Sequence, residues 1–246
     1  ADGDGSVELL ATMGGSTLAI IRAVGDNAFE EAASLRNATD GLNFLTPSRV
    51  VADIDGDGRE EIVVGDTDGN LMAFRWDGAG LSQVWDTRTR FREIHDIATG
   101  VFLGKRSIVV LGEESFGLTP RGGAMATVAV YTWDADADGL RLHDTPRRPI
   151  RRFRQRDDRP ALAAGPMDSS GDDTIAVISG GHVYLLRMEA SGALALDWAD
   201  RADPTKSPVF LDTDGDGRPS LFYNERGFLN RLTPEPAPTR PFALAV

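Results

Sequence analysis

Arg49-Val50-Val51-Ala52-Asp53-Ile54-Asp55-Gly56-Asp57-Gly58-Arg59-Glu60-Glu61-Ile62-Val63-Val64-Gly65 decides how this chain is read. Two short runs rich in β-branched residues bracket an acidic, glycine-bearing loop, so the segment reads as strand, tight loop, strand. The loop phrase returns as Asp2-Gly3-Asp4-Gly5 and as Asp212-Thr213-Asp214-Gly215-Asp216-Gly217. A weaker copy stands at Met167-Asp168-Ser169-Ser170-Gly171, and a degenerate one near Phe102 precedes Ser107-Ile108-Val109-Val110-Leu111-Gly112. Anchored on Asp55, the copies fall 46 to 66 residues apart.

A repeat of that size marks a propeller or a solenoid, and these segments lack the 3.6-residue apolar spacing of helical repeats. The second copy reads as four strands: Arg49 to Ala52, Glu61 to Gly65, Leu71 to Trp76 and Leu81 to Trp85. Turns at Asp68-Gly69-Asn70 and Asp77-Gly78-Ala79-Gly80 separate the later ones, because Gly, Asn and Asp tolerate positive φ. The third copy supplies Val109 to Gly112, Met125 to Trp133 and Leu140 to His143, with an insertion from Glu113 to Gly123. The fourth supplies Thr174 to Ile178, His182 to Met188 and Leu194 to Trp198; the fifth supplies Pro208 to Leu211, Ser220 to Tyr223 and Phe228 to Leu232. Placing Phe242-Ala243-Leu244-Ala245-Val246 ahead of Ala1 to Leu10 reproduces Val50 through Val63, so the missing first strand of the first copy is expected from the far end of the chain. The expectation is an all-β, closed five-bladed β-propeller of four-stranded antiparallel blades, one domain over residues 1–246, with few free sheet edges. Pro234, Pro236, Pro238 and Pro241 leave little room for a fourth strand in the last blade.

Composition narrows the function classes. No run of about 18 apolar residues exists, so no membrane-spanning helix is expected, and no signal peptide is visible. The chain begins at Ala1 as a processed or trimmed protein would. With no cysteine, disulfides, thiol catalysis and thiolate metal sites are excluded. The net charge of −12 argues against general nucleic-acid binding. Cysteine-free, arginine-biased composition, with only Lys105 and Lys206 as lysines, suggests an exported bacterial protein: periplasmic, cell-surface or secreted.

In the second copy, carboxylates fall at loop positions 1, 3, 5 and 9 (Asp53, Asp55, Asp57, Glu61), with the Arg59 carbonyl at 7. Hard oxygen donors at this spacing suit Ca²⁺. An EF-hand does not fit, because position 12 is Val64 and strands flank the loop. The competing reading is that Asp-Gly-rich loops are simply good turns.

This pattern resembles the FG-GAP or VCBS repeat of integrin-type β-propellers, whose inter-strand loops bind calcium through Asp-x-Asp-x-Asp-Gly-x-x-Asp. The resemblance spans most of the chain, strongly in copies one, two and five. It implies a structural Ca²⁺ in each intact loop. The implied ligands are Asp53, Asp55, Asp57, the Arg59 carbonyl and Glu61 in the second copy, and Asp212, Asp214, Asp216 and the Arg218 carbonyl in the fifth, where Ser220 replaces the ninth-position acid. Asp2, Asp4 and Glu8 are the candidates in the first copy, which has Val246 at the first-ligand position and for which a plain turn is preferred. Copy four offers Pro166, Asp168 and Ser170, and copy three nothing, so neither is expected to hold metal. The acidic run Asp134 to Gly139 aligns with a hairpin turn.

Two segments are candidate partner surfaces. Seven arginines crowd residues 147–159, including Arg151, Arg152 and Arg154, and guanidinium forks bind carboxylate, phosphate or sulfate; the bland alternative is a solvated connection paired with the acidic loops. The insertion containing Phe116 and Arg121 is a candidate recognition loop, or an insertion with no task. Trp76 and Trp133 recur at one place in their blades, as do Trp85 and Trp198, which suits packing between sheets better than sugar stacking. His95, His143 and His182 share no spacing, and no nucleophile-base motif appears. The leading expectation is therefore a non-catalytic, calcium-stabilised propeller that binds a protein or glycan partner. The alternatives are a carbohydrate-active enzyme, a polysaccharide lyase or glycoside hydrolase with its site at the central opening near His95-Asp96, and a lectin.

Overall fold

The computed structural model describes residues 8–13, 17–25, 28–36, 49–114, 125–143, 160–167, 171–202, 207–215, 217, 219–225 and 228–232. Every regular element among them is a strand. The first sheet is β1 (Glu8–Met13), β2 (Thr17–Gly25) and β3 (Ala28–Arg36); the second is β4 (Arg49–Ala52), β5 (Glu61–Gly65), β6 (Asn70–Trp76) and β7 (Leu81–Arg88). The third is β8 (Glu93–Phe102), β9 (Lys105–Glu114), β10 (Met125–Asp134) and β11 (Gly139–Leu142), and the fourth β12 (Ala161–Gly165), β13 (Thr174–Ser179), β14 (His182–Met188) and β15 (Leu194–Arg201). The fifth is β16 (Val209–Leu211), β17 (Ser220–Glu225) and β18 (Phe228–Leu232). Within each sheet, strands follow chain order and pair antiparallel. No helix among the described residues is long and apolar enough to cross a membrane.

The second strands explain the stacking. β5 and β13 are buried at every position, which a sheet with one solvated face would not allow. Four apolar clusters fill the spaces: the first joins sheets one and two through Leu18, Ile20, Ile62 and Phe74, and the next joins two and three through Val63, Ile94 and Val110. Val109, Val128, Ile175 and Val177 join three and four, and Ile178, Val183 and Leu221 join four and five. Each fully buried Val, Ile or Leu contributes about 1.5–3 kcal/mol. The outer strands alternate or lie exposed, as β7 does.

First strands pack in series, β4 against β8, β8 against β12 and β12 against β16. Polar bonds reinforce the seams. Asp96 Oδ2 accepts from Leu162 N at 2.7 Å, and Asp66 O accepts from Ile94 N at 3.3 Å. Asp173 donates its N–H to Val101 O at 2.8 Å and accepts from Val101 N at 2.7 Å. Glycine permits a close approach at Gly65, where a Cβ would stand 2.7 Å from Ile94 Cγ2.

Three sheets carry the same irregularity at the same repeat position. The register slips between β2 and β3 at Ile20/Ile21, between β6 and β7 at Ala73/Phe74 and between β14 and β15 at Leu185/Leu186, leaving Ala32, Val84 and Asp197 as the extra residues. A bulge recurring at one place re-aims each outer strand and increases its twist.

The strands expected in copies two, four and five are present, with β7 running on to Arg88. The strands β2, β3, β8 and β12 are additional to those read from the sequence. β8 escapes pattern reading because Glu93, His95, Asp96 and Thr99 interrupt its apolar positions and both its faces are half-covered. The expected closing strand, Phe242 to Val246, lies outside the described residues.

Candidate metal centre

Residues 53–60 join β4 to β5, whose register ends at Ala52 opposite Glu61. The loop is wound by its own carboxylates. Asp53 accepts from Gly56 N at 2.8 Å and Gly58 N at 3.1 Å, Asp55 from Asp57 N at 3.0 Å, and Asp57 from Arg59 N at 2.9 Å. Gly56 and Gly58 take φ of 81° and 88°, a conformation most side chains avoid. The Glu61 side chain is wholly buried, and its Oε2 accepts from Ile54 N at 2.9 Å.

Winding turns three carboxylates to a common volume: Asp53, Asp55 and Glu61 each offer an oxygen within 4.8 Å of the others. An oxygen-only, multiply anionic set is the donor chemistry that hard divalent cations take. Asp57 is more exposed and lies beside this group, and Arg59 is exposed.

Arg75, from β6, enters the same cluster. The register sets Phe74 opposite Ile62, which brings Arg75 alongside Glu61. Its Nη2 donates to Asp55 Oδ2 at 3.3 Å and closely to Glu61 Oε1, and its Nη1 lies 3.1 Å from Asp57 Oδ2. The hydrogen bond to Glu61 raises the guanidinium above its usual value, so it stays charged. Reading the loop alone misses this residue; the hairpin turn at Asp68-Gly69 fixes the register that would find it.

The fifth loop repeats the winding. Asp212 accepts from Gly215 N and Gly217 N, both at 2.8 Å. Asp214 meets Arg231 of β18 at 3.1 Å, and Arg231 Nε donates to Ser220 Oγ at 3.0 Å. Asp216 and Arg218 lie outside the described residues, as do Asp2 and Asp4; Glu8 heads β1 and is half-buried.

The third copy has no acidic loop. β8 and β9 pair through Phe102 and Lys105 around Leu103 and Gly104, whose φ of 52° and 71° make a two-residue hairpin. At the positions of Glu61 and Arg75 stand Ser107 and Thr132, their hydroxyls 2.9 Å apart and buried. In the fourth copy Pro166 is exposed, and Asp168 and Ser170 lie outside the described residues. Burial against sheet three raises the Asp173 carboxyl above the usual carboxylate value. Asp134 caps the turn before Gly139, as its alignment with a hairpin requires.

The tryptophans pack. Trp85 and Trp133 meet across sheets two and three with centroids 6.1 Å apart, and Trp198 meets Tyr223 across sheets four and five at 6.4 Å. His95 sits between Glu93, 3.8 Å away, and Glu113, 3.6 Å away. Burial pushes the imidazole below its usual value, against the pull of those two carboxylates. His182 contacts Gly180 O at 3.0 Å, and His143, just past the end of β11, is exposed. Phe116, Arg121, Arg151, Arg152 and Arg154 lie outside the described residues.

Residues 1–64 match the model of the FG-GAP-like repeat family. The matched segment contains the first acidic phrase and the whole Asp53 to Glu61 loop, and it ends within β5. No curated protein matches the chain in sequence.

Proposed function

We propose that this protein is a calcium-stabilised, non-catalytic β-propeller, exported from a bacterial cell, that binds a protein or glycan partner through the loops between its sheets. Its five sheets are the blades, and Phe242 to Val246 completes the first by pairing with β1. The observation that carries the reading is the convergence of Asp53, Asp55 and Glu61 oxygens within 4.8 Å, inside a segment matching an FG-GAP-like repeat. Asp53, Asp55 and Glu61 hold the cation, with Asp57 and the Arg59 carbonyl completing the set. The bound ion ties the β4–β5 loop together and stabilises the fold by mass action.

Thermal melts in Ca²⁺ and in EGTA test this. The wild-type protein melts higher in Ca²⁺, and Asp55→Ala removes most of the difference. Superimposable curves for the wild-type protein would sink the calcium reading. Partner class is tested by glycan-array binding beside capture from a native envelope fraction.

A second reading has one observation in its favour: His95 between Glu93 and Glu113, on the strand that would line the ring's centre. Two carboxylates flanking an imidazole supply acid and base groups for glycan cleavage. Release of reducing ends from acidic polysaccharides, abolished by Glu113→Gln, would replace the binding reading with this one.

A further inference from the structure

We propose that Arg75 is a tethered counter-cation of the Asp53–Glu61 loop: it supplies fixed positive charge that lets the loop fold without metal and weakens divalent-cation binding there. The inference rests on the calcium reading above and concerns the residue that tunes it.

Glu61 is the reason a counter-charge is needed. Its side chain is wholly buried, and a carboxylate out of water without a cationic partner is strongly destabilising. Ile54 N satisfies one oxygen, and Arg75 engages the other. The same guanidinium reaches Asp55 and Asp57, so one side chain touches three of the four candidate ligand carboxylates. Arg75 Nε is buried and has no hydrogen-bond partner among the described residues, so the side chain is held by its terminal nitrogens against the carboxylates.

A divalent ion in this volume shares Asp55 and Glu61 with a fixed positive charge a few ångströms away. Its attraction to the carboxylates is offset by repulsion from the guanidinium, and the low local dielectric strengthens both. The fifth loop offers an internal contrast. Arg231 makes a comparable reach to Asp214, yet it meets Ser220 where the second loop has Glu61, and both charged partners are at least 40% exposed. Solvent screens that pair, so Arg231 carries little of the same function.

Calorimetric Ca²⁺ titrations and thermal melts on the full chain, comparing wild type, Arg75→Gln and Arg231→Gln, decide the matter. Glutamine removes the charge while keeping a donor for Glu61. The expected result is Ca²⁺ affinity at least tenfold higher for Arg75→Gln, a lower melting temperature than wild type in EGTA, recovery in Ca²⁺, and near-wild-type behaviour for Arg231→Gln. If Arg75→Gln fails to fold in EGTA, circular dichroism on adding millimolar Ca²⁺ gives the answer: recovery supports the proposal and continued unfolding overturns it. Wild-type binding with no gain in Arg75→Gln defeats the Arg75 proposal alone. Binding by neither protein defeats the calcium reading as well. Binding by Arg75→Gln only retains the role of Arg75 and removes calcium from the wild-type loop.

Discussion

Histidine 95 shows how one side chain sets a pH response. Burial holds the folded imidazole below its usual value, while in the unfolded chain it titrates near the reference of about 6.5. Between those two values the unfolded state binds more protons, so stability falls as pH drops through about 6.5 and levels off below the folded value. His143 is displaced in the same direction, by burial first and then by Arg141 and Lys105, so the wild-type profile contains both. We expect His95→Gln to flatten part of the loss between pH 7.5 and 5 in urea denaturation. An unchanged slope would show that the attraction of Glu93 and Glu113 cancels the effect of burial, so that the imidazole titrates alike in the folded and unfolded chain.

At the level of elements, the turns do more than reverse the chain. Gly69, with φ of 81°, closes the β5–β6 hairpin and presses on the segment entering the third sheet; a Cβ there would lie 2.0 Å from Phe91 O. Its carbonyl accepts from Thr89 N at 2.9 Å. Gly69→Ala therefore combines a disfavoured conformation with a backbone clash, and chemical denaturation should register a loss of at least about 2 kcal/mol. Gly80→Ala, in the next turn with open space around it, should stay within about 0.5 kcal/mol of wild type. The sequence marks both glycines as turn residues and cannot separate them, because the distinction lies in what the neighbouring sheet places against each. The same limit governs the wider reading. β5 and β13 are legible as unbroken apolar runs, and the carboxylate spacing from Asp53 to Glu61 marks the loop. Arg75 and Asp96 are not legible, since hairpin register brings one to Glu61 and sheet stacking brings the other to Leu162. The bulges at Ala32, Val84 and Asp197 carry no common residue type, so only paired backbones reveal them.

For the molecule as a whole, the repeat supplies its own test of closure. Pairing aligns Leu9 of β1 with Ile62, Ile108, Ile175 and Leu221, and those four are at most 1% exposed, whereas Leu9 is 53% exposed. Phe228 and Leu229 in the last sheet are also exposed, at 75% and 71%. Sheets at the two ends of a stack show apolar surface that interior sheets cover, and bending the stack into a ring would bury it at about 1.5–3 kcal/mol for each large side chain. If Phe242 to Val246 takes the place that β4 holds in the second sheet, the pairing of Val51 with Ile62 sets Leu244 opposite Leu9. The chain has no cysteine, so Leu9→Cys combined with Leu244→Cys reports on that pairing without background. Directly opposed positions meet the distance a disulfide needs. The double variant should oxidise quantitatively, migrate faster in non-reducing gels and melt higher than its reduced form. Leu9→Cys with Val84→Cys should remain reduced under the same conditions. Failure of the first pair to cross-link, in protein whose circular dichroism is unchanged, would leave the five sheets as an open stack and remove the ring from the proposed function.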